Sequence, residues 1–165
     1  MGAHAELLTL FKYKTWANAI LCGEFAKLNP EDHPSEQREA IRLLNHIYVV
    51  DRIFAAHLSG EKHRYTGTNT PETPSFEELC AALTESDRWY IGYVGAISPD
   101  LLPQMLPFTF TDGAAGCMSR EEMLVHVATH GDYHRGALGR LLPPLAVPPL
   151  TDYLHTTDPH RCEPS

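Results

Sequence analysis

The sequence predicts an all-α protein: a four-helix bundle with a short β-hairpin-like excursion between the third and fourth helices. Three observations carry that prediction. Apolar residues recur at helical spacing through four long segments. Two of those segments open on Ser-x-x-Glu, a pattern in which each side chain satisfies a free backbone N–H at the helix start. One stretch, Phe108-Thr109-Phe110-Thr111, alternates apolar and polar residues as a strand does, and Asp112-Gly113 supplies a turn after it.

The first predicted helix covers residues 5–28, with Leu7, Leu10, Phe11, Ala17, Leu21, Phe25 and Leu28 recurring along it. Pro30 and Pro34 oppose its continuation. Ser35 reads as the N-cap of the second helix, residues 36–58, and Gly60 as its stop. Residues 60–74 are rich in Gly, Thr, Asn and Pro and read as a loop. Ser75 and Glu78 open the third helix, residues 76–97, along which Leu79, Leu83, Tyr90, Val94 and Ile97 recur. Ser119 and Glu122 open the fourth, residues 120–142, which ends at the prolines of PPLAVPPL. Residues 143–165 read as an extended tail, and the whole chain, 1–165, as a single domain.

A chain of 165 residues is long enough to bury a sizeable core. Its 43% hydrophobic and 21% charged content are those of a soluble globular protein. No apolar run approaches the length of a membrane span. Glu6, Lys12 and Lys14 interrupt the N-terminal segment, which therefore reads as a helix rather than a secretory signal. The net charge of -8 and the lack of a Lys/Arg cluster argue against a nucleic-acid partner, and no membrane partner is expected. Cys22, Cys80, Cys117 and Cys162 lack metal-ligand spacing and read as reduced thiols of a cytoplasmic protein.

Histidine is the residue type in excess, with ten in the chain. The segment HVATHGDYHRG, residues 126–136, puts His126, His130 and His134 four residues apart, on one helical stripe. Met123, Val127, Leu138 and Leu141 lie near that stripe, so it is expected to face the core. Imidazoles facing a core are costly unless each ring nitrogen finds a partner, and a divalent metal satisfies a pair at once. Gly131 follows His130, so the HExxH pattern with its glutamate base is absent and a third ligand must come from elsewhere. His46 offers it from the second helix, on the stripe of Leu43, Val50 and Ile53. His57 returns to the same side near the helix end and reads as a residue of the site mouth or surface. His4, His33, His63, His155 and His160 lie at ends or in loops and read as solvated. Asp51 reads as a solvated or interface carboxylate, Asp132 and Tyr133 fall mostly on other faces, and Tyr48 reads as a packing residue. No catalytic acid or base stands out.

These motifs resemble those of a known family. YKTWAN, residues 13–18, the histidine within LLNHIYVVDRIF and the segment HVATHGDYHRG are similar, in order and spacing, to the conserved elements of the DinB family and its YfiT-like relatives. The resemblance covers nearly the whole chain. It implies a four-helix bundle of the DinB/YfiT-like type, with residues 60–74 crossing over between the second and third helices. It also implies one divalent metal ion on His46, His130 and His134, with His126 supporting the ligands. Ala137 stands where the family often has Gln, a departure that touches no ligand. Three neutral imidazoles suit zinc or nickel and leave positions open for a bound molecule. The function expected from the resemblance is thiol-dependent S-transfer, the metal activating a low-molecular-weight thiol toward a small-molecule substrate, in a homodimer. The alternatives are a metal-dependent hydrolase and a non-catalytic, stress-responsive metal-binding protein.

Overall fold

The computed structural model describes residues 2–157. The four long helices are α1 (Ala3–Phe25), α2 (Pro34–Ser59), α3 (Phe76–Ala96) and α4 (Arg120–Leu141). An antiparallel hairpin of β1 (Met105–Thr109) and β2 (Ala115–Ser119) leads into α4, and α5 (Leu150–Thr157) follows it. The fold is thus all-α with one small hairpin between the third and fourth helices. α1 and α2 each pack against both α3 and α4.

Two apolar clusters show the directions of the helices. One gathers Leu7, Phe11, Val50, Phe54, Tyr90, Val94, Leu124 and Val127. The other gathers Leu21, Phe25, Leu44, Ile47, Leu79, Leu83 and Leu138. Between the clusters α1 and α4 run one way, and α2 and α3 the other. The parallel pair α2 and α3 cannot be joined by a tight turn, so residues 60–75 return along the bundle as a long crossover.

Local chemistry fixes the helix ends. Both capping boxes form, Ser75 with Glu78 and Ser119 with Glu122. Gly60 closes α2 at φ 71°, a left-handed conformation that favours glycine. α2 starts earlier than its sequence pattern suggests: Pro34 occupies the first turn, where its missing N–H costs nothing, and His33 rather than Ser35 is the cap. Ser35 Oγ donates instead to Glu36 Oε2.

The expectations for the tail and for two of the cysteines are corrected. Residues 150–157 are helical rather than extended, because Tyr153 packs against the rings of Tyr13 and Trp16 on α1. The rest of that tail, 158–165, with His160 and Cys162, lies outside the described residues. Cys22 and Cys80 form a disulfide joining α1 to α3, with Cα atoms 6.2 Å apart, so these two cysteines are not the reduced thiols expected. Spacing in sequence could not reveal it, since the pair meets only across the bundle.

A polar layer separates the two apolar clusters. Lys14 is fully buried and donates to Asp51 Oδ2 and Asp87 Oδ1, each at 2.6 Å. Asn18 donates to the other Asp87 oxygen at 2.8 Å and accepts from Arg135 at 3.1 Å. Asp51, expected at a surface, is therefore a core residue. Lys14 pairs with both carboxylates, and the buried Arg135 adds a second positive charge, paired at the edge of the layer with Asp132 at 3.6 Å. Burial alone would lower the Lys14 pKa, but the adjoining carboxylates of Asp51 and Asp87 outweigh it and raise it. Burial also pushes the Asp51 carboxyl up, to about 6, against the pull of Lys14.

Removing one partner of a buried ion pair leaves the others uncompensated. Lys14→Met is therefore expected to cost about 3–5 kcal/mol of unfolding free energy near neutral pH. Without Lys14 the Asp51 carboxyl pKa rises further above its unfolded value, so the folded variant takes up a proton as pH falls. Its deficit against the parent protein should narrow between about pH 7.5 and 5.5 in urea titrations. A loss below about 1 kcal/mol, or a deficit that widens at lower pH, would contradict this account of the layer.

Candidate metal centre

His46 on α2 meets His130 and His134 on the neighbouring α4. One ligand-type nitrogen from each lies within 4.8 Å of the others. The Nε2 atoms of His46 and His130 are 3.0 Å apart. The ring of His134 stands 4.7 Å from that of His46 and 4.5 Å from that of His130, centroid to centroid. All three are half-buried, so the histidine stripe of α4 runs along the edge of the core rather than into it.

The crossover segment holds His46 in place. Its Nδ1 is 2.7 Å from the carbonyl of Thr68. A carbonyl only accepts, so Nδ1 carries the proton and Nε2 presents a lone pair toward His130. Asn69 and Thr70 anchor the same segment: Asn45 Nδ2 donates to both side chains, and Asn69 Nδ2 donates to the Arg42 carbonyl at 2.9 Å. Burial first, then the neighbouring imidazoles of His134 and His46, push the His130 pKa down to about 3. Burial, and His46 after it, also lower His134.

This donor set fits a divalent ion. Imidazole nitrogens bound at about 2.0–2.1 Å to one zinc lie about 3 Å or slightly more apart, close to the spacing of the two Nε2 atoms. His130 Nδ1 is buried without a hydrogen-bond partner. With a lone pair on His46 Nε2, the His130 Nε2 carries the proton between them, and an ion at this point would take that proton's place between the two nitrogens.

The other candidates stay outside the cluster. His126 packs its ring against Phe54 at 4.7 Å and His130 at 5.4 Å. His57 faces Phe108 and His63. His4 is not simply solvated: its Nε2 lies 2.6 Å from the Val94 carbonyl. His63 is half-buried, and its Nδ1 has no partner. Asp132 accepts from the Tyr13 hydroxyl at 3.0 Å. Tyr133 is 76% exposed and sets its ring edge-on to His134 at 5.1 Å.

The two sequence motifs meet beneath the histidines. Tyr13, Lys14, Trp16 and Asn18 engage respectively Asp132, the two buried carboxylates, Tyr153 and Arg135. Gly131 makes room for this contact. A Cβ there would lie 2.9 Å from Arg135 Nη1 and 3.6 Å from Lys14 Cε. The sequence reading missed Lys14, Asn18 and Thr68 as residues that shape the site. Lys14 and Asn18 could have been found, since both fall on the stripe of Leu7, Phe11, Leu21 and Phe25. Thr68 acts through its backbone and carries no side-chain signal.

A helical bundle with histidines from facing helices converging on one point belongs to the class that builds metal sites between helices. The chain matches the DinB family over residues 1–163 and belongs to that family. No curated protein and no solved structure matches it.

Gly131 and Gly136 provide an internal comparison, since both lie inside α4 and no atom comes within 4 Å of a Cβ built at Gly136. Gly136→Ala should stabilise the protein by up to about 1 kcal/mol through helix propensity alone. Gly131→Ala must displace a buried guanidinium and should fall at least about 1 kcal/mol below Gly136→Ala. Equal melting temperatures for the two variants would show that Arg135 yields freely.

Proposed function

We propose that this chain is a metal-dependent enzyme in which His46, His130 and His134 hold one zinc or nickel ion, and that it transfers a group to or from a low-molecular-weight thiol. The observation that carries this reading is the set of three imidazole donors within 4.8 Å of one another, with no carboxylate in the group. An ion held by neutral imidazoles keeps its full double charge and supplies Lewis acidity, favouring the anionic form of a thiol or water beside it.

The chain's own residues contribute placement and exclusion. The Thr68 carbonyl sets the tautomer of His46. Burial keeps His130 neutral and therefore able to bind a cation. His126, packed between Phe54 and His130, supports the wall of the site. Tyr133 offers apolar surface beside His134 for a small acceptor molecule. A hydrolase would benefit from a carboxylate base, but Asp51 is engaged by Lys14 and Asp132 by Tyr13. A thiol needs no such base, which favours S-transfer.

No helix among the described residues is long and apolar enough to cross a membrane. The proposal includes a homodimer, from the resemblance, and a cytoplasmic location, from the cysteines read as reduced. The Cys22–Cys80 bond by itself argues for a more oxidising compartment.

Two measurements test the reading. Single His46→Ala, His130→Ala and His134→Ala variants should each lose the metal equivalent that the parent protein retains through dialysis. A variant that keeps the full equivalent removes that residue from the ligand set. Metal-loaded protein should consume thiol with an electrophilic acceptor faster than the His134→Ala variant. Equal, background rates across several physiological thiols would leave a hydrolase or a non-catalytic metal-binding protein.

A further inference from the structure

On the side of α2 turned away from the histidines lies a groove against α3. At about 100° per residue, Tyr48 and Arg52 stand roughly 200° and 240° around α2 from His46. A cavity of about 830 Å³ there is walled by Tyr48, Arg52, Ser86 and Trp89, among others. A second, of about 400 Å³, shares Tyr48, Arg52 and Trp89 and continues under His63, Arg64 and Tyr65 of the crossover. The shared walls make these one continuous groove, each part within the ~300–1,000 Å³ range of small-molecule sites.

Several polar groups in its walls lack partners. Ser86 is 1% exposed, yet its Oγ makes no hydrogen bond, and neither does the buried Nδ1 of His63. A buried hydroxyl without a partner is costly, so a site that retains one points to a missing acceptor or donor. Among the described residues, neither Arg52 nor Arg64 enters an ion pair, although acidic residues outnumber basic ones in the chain by 21 to 13. Arg52 and Arg64 both line the part of the groove under the crossover. Two carboxylates also line it. Glu85 is paired with Arg88, and Glu61 sits at the loop end. The half-buried ring of Trp89, stacked on Tyr93 at 5.0 Å, gives the groove a flat apolar wall.

We propose that this groove is a second ligand site, separate from the histidine cluster, that binds a small organic anion. Its carboxylate or phosphate is held by Arg52 and Arg64, with Ser86 as a further donor, and its flat apolar body lies against Trp89 and Tyr48. Guanidinium forks match both kinds of oxyanion, and an aromatic wall selects against bare inorganic ions.

The test uses the full chain carrying Trp16→Phe, so that fluorescence reports Trp89, both metal-loaded and after chelation. Benzoate and phenyl phosphate are the anionic probes, and benzyl alcohol is the uncharged control. One or both anions should bind saturably, and their relative affinities distinguish a carboxylate site from a phosphate site. Arg52→Gln and Arg64→Gln should each weaken binding about tenfold, the scale of a lost charge-assisted hydrogen bond. Ser86→Ala should weaken it less, and removing the metal by chelation should leave it unchanged. The proposal fails if neither anion saturates, if benzyl alcohol binds equally well, if both arginine variants bind like the parent, or if binding is lost on chelation. It also fails if the chain is a dimer in solution whose Trp89 is shielded from acrylamide quenching, because the groove would then be covered by a second copy.

Discussion

Lys14 reaches Asp51 on α2 and Asp87 on α3 through a single ammonium, in a place closed to water. Apolar side chains tolerate small slides and rotations of one helix past another, because the hydrophobic effect has no direction. Hydrogen bonds between buried charges do not, since each bond lost exposes an unpaired ion to a low-dielectric interior. Three helices must therefore meet at one height. Asn18 passes the constraint to the fourth, taking a hydrogen bond from Arg135 while donating to Asp87.

The register thus imposed on α4 reaches the surface one residue away. Arg135 points into the polar layer, and its neighbour His134 points out toward His46. The centre stands on a rigid footing below and is closed by a loop from the side. That loop must span the bundle because α2 and α3 run parallel. Its passage over α2 brings the Thr68 carbonyl to His46 and the Asn69 and Thr70 side chains to Asn45. One topological requirement thereby supplies the backbone oxygen that orients an imidazole.

The helices and the histidine cluster were legible because both depend on short-range periodicity. Ser75, Ser119 and the spacing of His126, His130 and His134 signal through local geometry that any helix repeats. What escaped depends on partners distant in sequence. Asp51 looks like a surface residue until Lys14, 37 positions earlier, is placed against it. Cys22 and Cys80 share no motif and lie 58 residues apart. α5 is too short for its periodicity to stand out, and its helix is settled by the rings of Tyr13 and Trp16. Polar residues on an apolar stripe, as at Lys14 and Asn18, were the one overlooked signal that the sequence did carry.

The bare backbone at Gly131 bears on how such a site can evolve. In HExxH metalloproteases the residue directly after the first helical histidine is a glutamate that serves as base. Here a Cβ at that position would press on the buried Arg135 guanidinium, 2.9 Å from its Nη1. A mutation introducing glutamate would meet the arginine and unsettle the helix packing before it could contribute any chemistry. The arginine would have to be lost first, leaving the Asn18 carbonyl without its donor and taking a buried positive charge out of the polar layer. The two designs are therefore separated by intermediates less stable than either, and a lineage that has settled on the arginine-locked bundle is confined to chemistries that do without a base at that position.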